Sequence, residues 1–220
     1  MRIAVIILFL INFGFNCSAQ IGSVIGSDKH YKKRAVKEKN ITTFSTAKLA
    51  FAITKNATTE KEKVTAIYKW IASNITYDNE LRLSAALQKE FYTSEENVMK
   101  KALERKMALC GGYAFLFKSL CEDIGISAAV IHGFTKDYSG KISKNKKPNH
   151  TWNAVKLNGK WQLLDITWAI SYGNSKGSDD FWFLTKPSDF IYTHYPETLK
   201  WTLLKQPISL LEFQSGHLAK

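Results

Sequence analysis

Asn158-Gly159 is the feature that most restricts how this chain can fold. A two-residue type I′ turn needs positive φ at both central positions, and Asn-Gly reaches them at little steric cost. The dipeptide separates Thr151 to Leu157 from Lys160 to Trp168, two runs rich in β-branched and aromatic residues. The pattern predicts an antiparallel hairpin with Leu157 opposite Lys160. Counting outward, Trp152 faces Asp165 and His150 faces Thr167, so His150 and Asp165 share a sheet face as diagonal neighbours. An aspartate inside the apolar run Leu163-Leu164-Asp165-Ile166 costs free energy unless paired, and His150 is the partner within reach.

A carboxylate that fixes a histidine's tautomer suits that histidine to take a proton from a nucleophile. The candidate nucleophile is Cys110, which opens the run Cys110-Gly111-Gly112-Tyr113-Ala114. Tyr113, Phe117, Leu120, Cys121 and Ile124 recur at helical spacing and Gly125 follows as a stop, so a helix starts at Cys110 and carries Cys121 in its body. The unpaired N–H groups and dipole of a helix N-terminus favour a thiolate. Each residue alone has a plain alternative: a packed cysteine, a satisfied histidine, a turn aspartate. Together, Cys110, His150 and Asp165 form the candidate site. His30, His132, His194 and His217 have no carboxylate at registered spacing and read as structural.

Upstream, Thr59-Glu60-Lys61-Glu62 is a capping box, and Val64, Ile67, Tyr68, Ile71 and Ile75 form a core-facing stripe on a helix ending at Tyr77-Asp78. Thr93-Ser94-Glu95-Glu96 predicts a second capped helix to about Leu103, reached after a polar stretch. Ser127 to Phe134 reads as a buried strand, and the lysine-rich segment Thr135 to Asn149 as a mobile flap leading into His150.

Met1-Arg2 and the short apolar run Ile3 to Phe13, with Cys17-Ser18-Ala19 before Gln20, have the form of a secretory signal over residues 1–19. Lipidation at Cys17 is the weaker alternative, because Asn16 stands where a small residue is wanted. Residues 20–42 then read as a linker, 43–213 as the folded domain and 214–220 as a polar tail, with no integral membrane span. The expected location is secreted or periplasmic. Cys110 and Cys121 lie about 16 Å apart along one helix, too far for a disulfide, so two free thiols are expected. No histidine stands at ligand spacing from them, and neither a metal nor a cofactor is expected. The formal charge of +12 suits an acidic peptide, protein or cell-envelope partner, and no nucleic-acid motif is present.

Cys110-Gly111-Gly112-Tyr113-Ala114, His150-Thr151-Trp152-Asn153 and Trp161-Gln162-Leu163-Leu164-Asp165-Ile166-Thr167-Trp168 together resemble the core of the transglutaminase-like superfamily. Ile67-Tyr68-Lys69-Trp70-Ile71 with Asn74 to Asp78 looks like the helix before that core. Phe183 to Pro187, Tyr192 to Pro196 and Trp201 look like its continuation in secreted bacterial members. The resemblance covers roughly residues 45 to 213 and is nearest to the kyphoscoliosis peptidase-like branch. Thr151 stands where alanine is common, and Met107-Ala108 replaces a frequent glycine. The resemblance implies a papain-like α+β fold, with the cysteine helix packed on an antiparallel sheet that carries histidine and aspartate. It also implies acyl transfer at Cys110 assisted by His150 and Asp165. Three outcomes stay open: a cysteine peptidase or amidase, a protein-crosslinking transglutaminase, or a non-catalytic envelope binding module.

Overall fold

The computed structural model describes residues 44–136, 147–173 and 178–215. The expected signal segment and the whole of the expected linker lie outside these residues, as do most of the basic segment before His150 and most of the expected tail. All described residues fall in one unit, Thr42–Lys220.

The chain enters through α1 (Ala47–Thr54) and α2 (Glu60–Asn74). The Thr59 capping box is present in both directions: its hydroxyl accepts from the Glu62 N–H and the Glu62 carboxylate accepts from the Thr59 N–H. The α2 stripe of Val64, Ile67, Tyr68 and Ile71 is fully buried. The helix stops at Asn74, earlier than the expected Tyr77-Asp78, because the β-branched pair Ile75-Thr76 goes extended. Thr76–Tyr77 forms β1, which pairs in parallel with β2 (Met107–Ala108). Asp78 caps α3 (Asn79–Leu83) and is followed by α4 (Ala85–Phe91), two short helices where the sequence reads only as a polar stretch. Ser94 caps α5 (Glu95–Arg105) by accepting from the Asn97 N–H. The expected box from Thr93 to Glu96 is thus replaced by a one-sided cap one residue later. Lys106 takes a left-handed conformation that turns the chain into β2.

α6 (Cys110–Glu122) follows at once, as expected, and β3 (Ala128–Thr135) runs back alongside it. β4 (His150–Leu157) and β5 (Lys160–Leu164) form the predicted hairpin, with Leu157 opposite Lys160 and Asn153 opposite Leu164. Asn158 and Gly159 have φ of 49° and 77°, as a type I′ turn requires. The second strand ends four residues short of Trp168: Asp165 caps α7 (Ile166–Tyr172). Its N–H donates to the Trp182 carbonyl at 2.8 Å, and its side chain accepts from the Trp168 N–H at 3.0 Å, so ladder and cap compete for one residue and the cap wins. A 3-10 turn at Asp180–Trp182, α8 (Pro187–Phe190), β6 (His194–Pro196), a 3-10 turn at Leu199–Thr202 and α9 (Leu210–Ser215) complete the described chain.

The four-stranded sheet has the order β5-β4-β3-β6, antiparallel throughout, so the fold is α+β as expected. α6 packs on β3 and β4, with α2 and α5 against its other sides. Leu116, Phe117 and Leu120 of α6 meet Trp152 and Val155 of β4 in the main core. Asn153 ties the layers by donating to the Ala114 carbonyl at 3.0 Å and the Ala129 carbonyl at 3.1 Å.

Candidate active site

Cys110 is the first residue of α6 and keeps part of its surface open, while Cys121 is wholly buried; both are free thiols. The start of the helix can approach β2 so closely because Gly112 lacks a side chain: a β-carbon there would lie 2.8 Å from the Ala108 β-carbon. His150 opens β4 and Asp165 closes the strand beside it. The structure brings the three predicted residues together. His150 Nε2 lies 2.6 Å from Asp165 Oδ2, which leaves Nδ1 as the nitrogen for the thiol. The predicted diagonal contact is therefore made, but Asp165 reaches His150 from a helix cap and not from within a strand.

Burial opposes ionisation of the Cys110 thiol, yet the hydrogen bond and charge of His150, helped by the Gly111 N–H and opposed by Asp165, bring it below the ordinary cysteine value. His150 is likewise buried, which disfavours its cation, but the Asp165 carboxylate and then Cys110 hold it above the ordinary histidine value. Burial would raise the Asp165 carboxyl, and its bonds to two histidines more than reverse this, holding it well below the usual carboxylate range. Each of the three shifts favours the charged form, a thiolate beside an imidazolium beside a carboxylate. Cys121, by contrast, is pushed far up by burial, with Glu122 adding to the effect.

Two further surroundings bear on the site. His194, read as structural, places Nε2 2.9 Å from the same Asp165 oxygen. Its 29-residue distance from Asp165 crosses several turns, and no local pattern links them. On the other side, the phenols of Tyr77 and Tyr92 feel the Cys110 charge; burial first, then that charge, lifts both above the ordinary tyrosine value. The β1 and β2 pairing sets Tyr77 beside the approach to Cys110. Tyr92 lies over Gly111, where a β-carbon would meet its hydroxyl at 3.3 Å.

His150, Asp165 and His194 offer ligand atoms within 4.8 Å of one another, a spacing a cation could use. Both ring nitrogens already meet one carboxylate oxygen at hydrogen-bond distance and all three residues are buried, so the cluster is a hydrogen-bond network. Among the described residues no helix is long and apolar enough to cross a membrane.

The chain is similar over 170 residues to kyphoscoliosis peptidase of Homo sapiens, with 32% identity, covering 74% of this chain and 25% of that protein. Hillarin of Drosophila melanogaster is 29% identical over 184 residues, covering 72% of this chain and 20% of that protein. A solved structure described as that of a TGase matches 62% of this chain and 36% of its own at 21% identity and a TM-score of 0.43, a likeness too loose to carry an argument. The chain thus spans about a quarter or less of the length of these curated relatives. Residues 47–166, which run from α1 through the candidate Cys110, His150 and Asp165, match the transglutaminase-like superfamily, and the chain belongs to that superfamily.

Proposed function

We propose that this chain is a secreted, cysteine-dependent amide hydrolase, a peptidase or amidase acting on peptide or protein amides. The observation that carries the reading is the line from the part-open Cys110, at the start of α6, to a buried His150 whose other nitrogen is 2.6 Å from the Asp165 carboxylate. In this reading the Cys110 thiolate attacks the amide carbonyl, and the tetrahedral oxyanion accepts a hydrogen bond from the N–H of Cys110 itself. His150 gives its proton to the departing amine as the C–N bond breaks, leaving a thioester. Water then gives a proton to His150 as it attacks the thioester, and the acid is released with the Cys110 thiolate and the imidazolium restored. Asp165 stays ionised and orients His150 throughout.

Hydrolysis is favoured over cross-linking by charge. Thr135 to Asn149 contains five lysines just before His150, which disfavours a lysine ammonium as second substrate and attracts acidic peptide or envelope material. The name of the human relative, a peptidase, points the same way. Secretion rests on the form of residues 1–19, and export of a tagged full-length chain with loss of that segment is the check.

The activity is tested with the chain lacking residues 1–19, beside its Cys110→Ala variant. Each is given casein and an acidic envelope-peptide panel, then a glutamine-containing acceptor with a labelled primary amine. Cleavage lost in the variant supports the reading. Amine incorporation lost in the variant replaces it with a transglutaminase, and inactivity in both assays replaces it with a binding module.

A further inference from the structure

A buried carboxylate with two histidines on one oxygen is more than a nucleophile's proton relay needs. Asp165 is 1% exposed, and among the described residues its side chain makes three hydrogen-bond contacts: Oδ1 accepts from the Trp168 N–H at 3.0 Å, and Oδ2 meets His150 at 2.6 Å and His194 at 2.9 Å. His194 is itself 1% exposed and is held at both nitrogens. Nε2 faces Asp165, and Nδ1 lies 2.8 Å from the Thr193 hydroxyl. An ionised carboxylate can only accept, so Nε2 carries the proton, and Nδ1 then accepts from Thr193. The ring is also wedged, with centroids 4.2 Å from Phe190 and 4.4 Å from Trp168.

We propose that His194 is a positioning residue of the site described above, an uncharged donor that holds the Asp165 carboxylate in place, and as an anion, for His150. The absence of charge matters. A lysine or arginine here would neutralise Asp165 and compete with the imidazolium of His150, whereas a neutral N–H orients and solvates the carboxylate and leaves its charge for His150. Burial and the nearby positive charge of His150 outweigh Asp165 and push the His194 ring down to about 4, which keeps it uncharged at neutral pH. Among the described residues the titratable groups facing it are Asp165 at the start of α7 and His150 on β4; aromatic rings close much of the remainder. The donor matters most when His150 has given up its proton, because Trp168 N–H and His194 then keep the buried carboxylate from drawing a proton of its own.

The inference rests on the proposed chemistry, so its test reads the thiol and not the turnover. Met and Gln have similar length, and only Gln has an N–H. His194→Met and His194→Gln are compared with the wild-type full chain by the rate at which iodoacetamide alkylates Cys110 across pH, each site read by mass spectrometry. Without the donor, Asp165 takes up a proton at higher pH and His150 is held less firmly as a cation. The Cys110 titration in His194→Met should therefore move to higher pH, with alkylation on its acid limb slowed about tenfold, the scale of one hydrogen bond to a charged group. His194→Gln should recover most of the loss. Met and wild type titrating alike, or Met and Gln shifted alike, would overturn the inference. Thr193→Val keeps the ring and removes the hydroxyl that holds its tautomer; it should shift Cys110 the same way by less, and no shift would also overturn the inference, even if the Met variant does not fold. A wild-type Cys110 no more reactive than Cys121 would instead remove the catalytic reading, and this inference with it.

Discussion

The two ends of α6 carry the same side chain in opposite surroundings. Cys110 at its first turn meets unpaired backbone N–H groups and His150, and its thiol titrates below the ordinary value. Cys121, eleven residues on, is sealed in the core with the charge of Glu122 nearby, and its thiol titrates far above it. Identity of residue and even of helix decides nothing here. Reactivity follows from which end of the helix is presented and from what the sheet delivers to it.

Cys110→Ala should have the largest effect on this contrast, removing all fast alkylation and lowering any turnover by about 10³-fold or more, while Cys121→Ala leaves the fast site in place. Site-resolved alkylation of both variants measures it. Asp165→Asn asks next whether the helix terminus alone makes the difference. Asparagine still caps α7 but presents an amide to His150, so turnover should fall by on the order of 10²- to 10⁴-fold and Cys110 alkylation should slow. If Cys110 in Asp165→Asn keeps its wild-type titration, the contrast belongs to the helix end and not to the network. At the other end of α6, Cys121→Ser puts a hydroxyl into an apolar core and should cost about 1–3 kcal/mol in urea unfolding. Its Cys110 rate should match wild type.

A further expected effect is a pH dependence of folding from the two histidines on Asp165, which act in opposite directions and in different pH windows. His194 is depressed from 6.5 to about 4, so its contribution is complete above 6.5 and is lost as pH falls toward 4, where the unfolded ring binds a proton that the folded ring refuses. His150 is raised above 6.5, so its contribution is complete below that pH and is lost as pH rises through its folded value. Urea midpoints should therefore drop between pH 6.5 and 4, and less in His194→Gln than in wild type. An equal drop in both would assign the acid sensitivity to other groups.

Some of this molecule was readable in the order of its residues. The Asn158-Gly159 turn set a register that runs unbroken from Leu157–Lys160 to Asn153–Leu164, because two positive-φ residues admit one hairpin geometry. The Thr59 cap and the apolar spacing after Cys110 located two helices, since both signals act within a few residues. The hidden parts were those in which local preferences compete or distant segments meet. Leu163 to Trp168 is apolar enough for a strand, yet the Trp168 N–H captures the Asp165 side chain, and the Trp182 carbonyl, from another part of the chain, takes its N–H. The short helices at Asn79–Leu83 and Ala85–Phe91 carry little periodicity; the first is held by buried Asp78, which caps it and binds Arg105 at 3.1 Å. His194 reaches Asp165 only because β6 pairs with β3 at the far side of the sheet from β5, a closure no spacing announces. The sequence alone therefore determined which residues could carry the chemistry and how the hairpin aligned two of them. Tertiary packing decided that Asp165 would be a helix cap and that a second histidine would share its oxygen, because both depend on donors brought from segments far along the chain.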